Sequence, residues 1–521
     1  MPCDGCAARK VDCMFSRYCV CGNATSLPAM GDAPAEGTSP RRPRDGAVPL
    51  SFLLNSTDDT QEYITETAVG EEPEGALVGP ICTVPFQNQV LDEEPLFDYI
   101  DPTLLLPPKG CAALLSSLPY VGEEQDMLST LLSSRCHEHK LTSRIEMLES
   151  QLATSALSNN HSFEAASIQH FFSTSDVYSF ATTFCRKRHY RYPVIHWPTF
   201  VLEDAPLPLL LVVALTGASY SYQAGHELEH INNARKLYPL ADAYVFEQLD
   251  ICLSRGVYIA EAVQLCQAAL LMYGLDTLLG RDVAMQHMAI TKRLPALVSA
   301  VRSLSLIDTQ HTISEDWQLF VQRESIIRLV SWTFCADCLA TLTCNNPPLF
   351  SLQEMTGNLP CDPDLWDADS AVSFELMLSS RKRCSSHSLK DLIPAFVGQT
   401  SCHDIELGNL PLFDLHMLLC AFQPLIFNLH ITFTLPSQSS KLLQALDTWR
   451  QLWDKALTMI SDDYSHWLGV ARYVPGIECL SRRVIEVAVS DEAGSSRYLR
   501  RQPWFGTRDI HEFIRNFVAE Q

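Results

Sequence analysis

The stretch HTISEDWQLFVQRESIIRLVSWTF, His311 to Phe334, decides the fold. Trp317, Phe320, Val321, Ile327 and Val330 recur in it at helical intervals, which marks one apolar face of an α-helix. Ahead of them Thr312 and Glu315 have the spacing of a capping box that opens such a helix. Working outward, PLPLLLVVALTGASYS (Pro206 to Ser221) begins with prolines, which suit a first helical turn, and is apolar all round, as a fully buried helix is. LLQALDTWRQLWDKAL, from Leu442, repeats the helical spacing. Pro-rich breaks such as NNPPLFS and GNLPCDPDLW separate the periodic segments. Alternating strand patterns and a regular 20–50-residue repeat are both missing from the sequence. The expected class is all-α, with one large helical domain over residues 160–521.

Composition bounds the function. The chain has 521 residues, enough for two or more folded units and a sizeable core. A formal net charge of −23 argues against a protein coated in nucleic acid, so DNA binding requires a small local module. The first residues, MPCDGCAARK, carry no apolar signal-peptide core. Most of the nineteen cysteines stand singly in apolar runs, as Cys266, Cys335 and Cys420 do, which points to free thiols in a reducing compartment. The longest aliphatic run, LPLLLVVAL (Leu207 to Leu215), is about half the ~20 residues of a membrane span. A core helix, with no membrane partner, is the expectation.

The N-terminus carries different chemistry. CDGCAARKVDC sets Cys3, Cys6 and Cys13 at C-x2-C-x6-C spacing, two thiolates across a tight turn and a third one short helix away, a geometry that suits a tetrahedral metal. Arg9 and Lys10 lie between them, where a basic pair meets phosphate or a base edge; Asp12, beside the third cysteine, has the wrong sign for that task. Cys19 and Cys21 follow as a C-x-C pair, and no further cysteine appears before Cys82.

Between this module and the helices the composition changes. Residues 22–80 are rich in Pro, Gly, Ser and Thr, and SPRRPRDG (Ser39 to Gly46) adds a minor basic cluster that reads as a solvated linker or a nuclear-import signal. Ser51 to Gly110 holds twelve Asp or Glu against one basic residue, Lys109. Within it LDEEPLFDYIDPTLLL (Leu91 to Leu106) mixes carboxylates with Leu96, Phe97, Tyr99 and Ile100. Such mixing either docks on the chain's own core or offers a partner an amphipathic helix, as recruitment of the transcription machinery requires. In LTSRIEMLESQL, Leu141, Ile145, Leu148 and Leu152 follow the 4-3-4 spacing of a coiled-coil seam lasting about two heptads. A homodimer helix through 141–152 and an ordinary amphipathic helix are both consistent with it.

Four segments, in order, resemble the regulatory domain of fungal-specific transcription factors. YPVIHWPTF (Tyr192 to Phe200) is similar to that family's P-hydrophobic-hydrophobic-H-x-P-T-F turn, and the apolar helix after it ends in the family's small-residue Gly-Ala step. EDWQLFVQRESIIRLVSWTF resembles its W…E-S-x-R-R helix, and NNPPLFSLQEMTGNLPCDPDLW its P-P…E-x…L-P segment. The likeness runs from about His170 to Trp366. It implies an N-terminal Zn₂Cys₆ cluster, in which two zinc ions share six thiolates and a helix offers basic side chains to the major groove. CDGCAARKVDC is similar to the first half of that cluster, which makes Cys3, Cys6, Cys13, Cys19 and Cys21 the implied metal ligands, Arg9 and Lys10 the implied DNA contacts, and Zn²⁺ the implied cofactor.

The second half departs from the family pattern, since a C-x-C pair stands where a C-x2-C pair and a sixth cysteine belong, Ala7 replaces a usual Arg, and Asp12 a usual basic residue. Three explanations stay open: a single Cys₄ site closed by Cys19 or Cys21, an exon boundary misread after Cys13, or a decayed module. The abruptness of the break favours the second narrowly.

The implied organisation is a partial cluster over 1–25, a disordered linker over 26–125 with an activation segment at 91–106, a short coiled coil over 126–156, and the regulatory domain. Its function is that of a nuclear transcription factor acting through DNA, with a co-regulator that has lost DNA binding as the alternative. Phosphate-binding loops, dinucleotide fingerprints, H-E-x-x-H and nucleophile elbows are all missing from the sequence, so catalysis is not expected. Cys136, His137 and His139, and the C-x2-C pair Cys335 and Cys338, read as core or surface residues rather than ligands. His196 reads as a hydrogen-bonding member of its turn.

Overall fold

Helices and their connecting turns make up the described residues of a computed structural model, 135–158, 171–185, 192–220, 227–255, 259–279, 283–312, 316–379, 387–398, 410–458, 474–501 and 508–518. Among the described residues there is no strand, and the fold is all-α as the periodicity implies. The cysteine module, the linker and the acidic segment 91–106 lie outside the described residues.

The first group of helices is α1 (Arg135–Ser158), α2 (Thr174–Phe184), α3 (Leu207–Tyr220), α4 (Glu227–Arg255) and α5 (Ile259–Leu279). At its centre lies α3, with every residue buried and packed on α2, α4 and α5. Gly217 explains how α2 comes so near. A Cβ there would stand 1.9 Å from the Phe180 carbonyl oxygen, so only hydrogen fits between the two backbones.

The heptad-spaced seam of α1 packs within its own chain. Leu141, Ile145, Leu148 and Leu152 are all buried, and α1 packs through them on α2, α3 and α4 of the same chain. Polar contacts fasten the helix there: Lys140 pairs with Asp204, Arg144 donates to the Ala205 carbonyl, and Ser155 Oγ donates to Glu247 at 2.9 Å. Two heptads of apolar spacing satisfy a self-core as well as a partner, and here the core takes them. Residues 141–152 thus form the buried face of an amphipathic helix within this chain.

After α6 (Val283–Met288) a π-helical turn, Ala289–Arg293, leads into α7 (Leu294–Ser303). Pro295 has no N–H to continue an α ladder, and the ladder widens just before it.

The second group is α8 (Trp317–Cys344), α9 (Pro363–Trp366), α10 (Ala371–Ser379), α11 (Leu389–Phe396), α12 (Leu412–Ile431), α13 (Leu435–Thr458), α14 (Val474–Ala488) and α15 (Arg508–Phe517). Here α12 is the centre, packed on α8, α11, α13 and α14, while α8 also packs on α5 and α7 and joins the two groups. Asp316 directly precedes Trp317 and caps α8, accepting from the Gln318 N–H at 2.7 Å, while Glu315 of the expected capping box lies outside the described residues.

Along α13 the predicted stripe is the buried one: Leu442, Leu446, Trp449 and Trp453, with Trp449 Nε1 donating to the Leu415 carbonyl at 2.7 Å. Both α8 and α12 are long and apolar enough to cross a bilayer, yet 83% and 78% of those windows lie inside the protein, largely against each other.

Candidate functional site

Three of the four signature segments meet around one buried point on α8. Glu324 and Arg328 stand one turn apart on that helix and are both 0% exposed. Arg328 Nε donates to Glu324 Oε1 at 2.6 Å, and His311 Nε2 meets Oε2 at 2.8 Å. The Cys361 N–H, from the GNLPCDPDLW segment, also donates to Oε1 at 2.9 Å, and Arg328 Nη2 returns a bond to the Cys361 carbonyl at 3.2 Å. Three groups, Arg328, His311 and the Cys361 N–H, thus share one carboxylate. Burial pushes the Glu324 pKa up, but the Arg328 charge, the His311 hydrogen bond and charge and the Cys361 N–H outweigh it and hold it below the ordinary value.

The guanidinium of Arg328 lies over the Trp366 ring, 4.5 Å from its centroid, and 5.4 Å from that of Phe413 on α12. On Trp366 rests the turn of YPVIHWPTF: His196 meets its ring edge-on at 4.7 Å. His196 Nδ1 is 2.7 Å from Thr199 Oγ1, the bond within the turn that the sequence suggests. Burial is the main cause that lowers the His196 pKa to about 4, so its ring is neutral at physiological pH. The turn is fastened to α5 as well, where Gln267 Nε2 donates to the Val194 carbonyl at 2.5 Å.

The P-P…E…L-P segment is pinned twice more. Asp337 Oδ2 accepts from the Leu349 and Phe350 N–H groups at 2.8 and 2.9 Å. Glu354 takes a two-pronged bond from Arg302 of α7, at 2.9 and 2.7 Å. Burial pushes Asp337 up to about 6, against the pull of those two N–H groups.

This constellation, with Glu324 and Arg328 fully enclosed, holds segments together. A neighbouring cavity of about 10 Å³, lined by Ile327, Val330, Met355 and Leu359 among others, has room for one water rather than a metabolite.

Cys3, Cys6, Cys13, Cys19, Cys21, Arg9 and Lys10 lie outside the described residues. The sequence reading missed the Glu324–Arg328–His311 knot, although an i,i+4 acid–base pair on an otherwise apolar helix signals it. Cys335 is buried in the core as the sequence implies, and its Sγ lies 3.8 Å from His416 Nε2.

Comparison with known proteins follows the same segments. Residues 168–451 match the family described as "Fungal specific transcription factor domain". "Transcription factor verF" of Penicillium polonicum is 22% identical over 450 residues, 82% of this chain and 59% of that protein. "Zinc finger protein zas1" of Schizosaccharomyces pombe is 22% identical over 236 residues, 44% of this chain and 25% of that protein. The chain therefore spans about a quarter and rather more than half of these relatives' lengths. No solved structure matches it.

Proposed function

The chain belongs to the fungal specific transcription factor domain family, and from that premise we propose that it is a nuclear transcription factor that binds DNA through a zinc-dependent N-terminal module. The family match over 168–451 carries the regulatory role, and the named relatives, a transcription factor and a zinc finger protein, support it.

Five cysteines, Cys3, Cys6, Cys13, Cys19 and Cys21, are the ligand set for zinc. Thiolates suit this borderline-soft ion, and one tetrahedral site needs only four of them. The metal would supply the fold of a segment too small for a core of its own. Arg9 and Lys10 then face the duplex, and the segment 91–106 recruits the transcription machinery. The helical domain regulates both. Its mode of action is binding and recruitment rather than catalysis.

The C-x-C pair at Cys19 and Cys21 favours one other reading, a co-regulator that has lost DNA binding. Selection from a random duplex pool with the reduced full-length chain tests the proposal. Enrichment of one motif, lost on chelation and in Cys3→Ser/Cys6→Ser, is the expected result. No enrichment, with the tethered chain still altering reporter output, moves the co-regulator reading ahead.

A further inference from the structure

Where α8 crosses α12, three metal-ligating side chains converge inside the core. Cys335 comes from α8, and His416 and Cys420 from α12, one helical turn apart and so on one face. His416 Nε2 lies 3.8 Å from Cys335 Sγ and 3.9 Å from Cys420 Sγ, and the three donor atoms all stand within 4.8 Å of one another. A fourth soft atom, Met417 Sδ, is 3.3 Å from Cys335 Sγ. Exposure is 5% for Cys335, 3% for His416, 1% for Cys420 and 0% for Met417.

We propose that Cys335, His416 and Cys420 form a binding site for a thiophilic d¹⁰ metal ion, Cu⁺ or Zn²⁺, which staples α8 to α12. The spacing matches the chemistry. Metal–sulfur bonds of ~2.3 Å and metal–nitrogen bonds of ~2.0–2.1 Å, opened to a trigonal angle, put S and N about 3.8 Å apart, and the structure has 3.8 and 3.9 Å. Sulfur and imidazole donors beside a thioether select soft or borderline ions over Mg²⁺ or Ca²⁺. Charge permits burial: Zn²⁺ with two thiolates and a neutral imidazole is a unit of zero net charge, and three-coordinate Cu⁺ reaches zero when one of the two sulfurs keeps its proton. The site joins the two helices at the centre of the second group.

The test uses the reduced full-length chain carrying Cys3→Ser, Cys6→Ser, Cys13→Ser, Cys19→Ser and Cys21→Ser, so that only other sites remain. It is reconstituted anaerobically with Cu⁺ alone or Zn²⁺ alone, then desalted for elemental analysis and X-ray absorption. The expected result is one ion per chain with two sulfurs and at least one nitrogen in its first shell. The ion retained in the two arms tells copper from zinc. Addition of Cys335→Ala and Cys420→Ala abolishes that ion. If the double variant fails to fold, the spectrum of the parent chain still decides. Retention of neither ion, or a first shell without two sulfurs and a nitrogen, overturns the proposal.

Discussion

Replacing Arg328 with methionine tests the organising role of the buried knot. The substitution keeps an apolar stem of similar length and removes the guanidinium. Lost with it are the 2.6 Å bond to Glu324, the 3.2 Å bond to the Cys361 carbonyl and the stack over Trp366. Glu324 is left as a fully buried carboxylate held by His311 and one N–H. Breaking one side of a buried pair costs about 3–5 kcal/mol, a large share of the ~5–15 kcal/mol that holds a folded protein together. In the double variant Glu324→Gln/Arg328→Met no unpaired charge remains, so its cost falls about 2 kcal/mol or more below the sum of the two single costs. Urea unfolding of the full-length protein, followed by tryptophan fluorescence, reads all three. A cost under about 1 kcal/mol for Arg328→Met, or strict additivity of the two changes, would refute the reasoning.

The remaining predictions follow from packing and titration. Gly217→Ala forces a methyl group onto the Phe180 carbonyl, a backbone that cannot swing aside, and is expected to cost about 3 kcal/mol or more in the same unfolding assay. His196 and His511 are held at about 4 by burial; an unfolded histidine titrates near 6.5, so their stabilisation is intact above that pH and is lost as pH falls from about 6.5 to 4, about 3 kcal/mol each. Asp337, held at about 6, works in the opposite sense: its ionisation costs stability as pH rises from about 4 to 6. Asp337→Asn is therefore expected to raise the stability at pH 7, by up to about 3 kcal/mol, and to steepen the acid loss. Urea midpoints from pH 4 to 8 check both, and a flat profile for the wild type would contradict them.

Much of the helical architecture is legible from periodicity alone. The apolar-all-round run around Leu211 is a fully buried helix, and the stripe Leu442, Leu446, Trp449 and Trp453 faces the core as its spacing says. Periodicity names the buried face but not what buries it, which is why Leu141, Ile145, Leu148 and Leu152 read equally as a dimer seam. The cap of α8 is Asp316, adjacent to the first turn, a residue the Thr312–Glu315 spacing does not name. Less legible still were the contacts across sequence. Arg328 and Cys361 are 33 positions apart, and Cys335 and His416 are 81 apart; only the crossing of helices brings them together. Resemblance to a family located the signature segments without showing that three of them meet around Arg328 and Trp366.

The central claim is that this chain regulates transcription from DNA. Chromatin immunoprecipitation of the tagged full-length protein, beside its Cys3→Ser/Cys6→Ser variant, tests it most directly. Discrete genomic peaks sharing one motif, absent in the variant although it accumulates to the same level, are what the account predicts. Equal occupancy by the two proteins, or no peaks from either, would contradict DNA binding through the N-terminal cysteines.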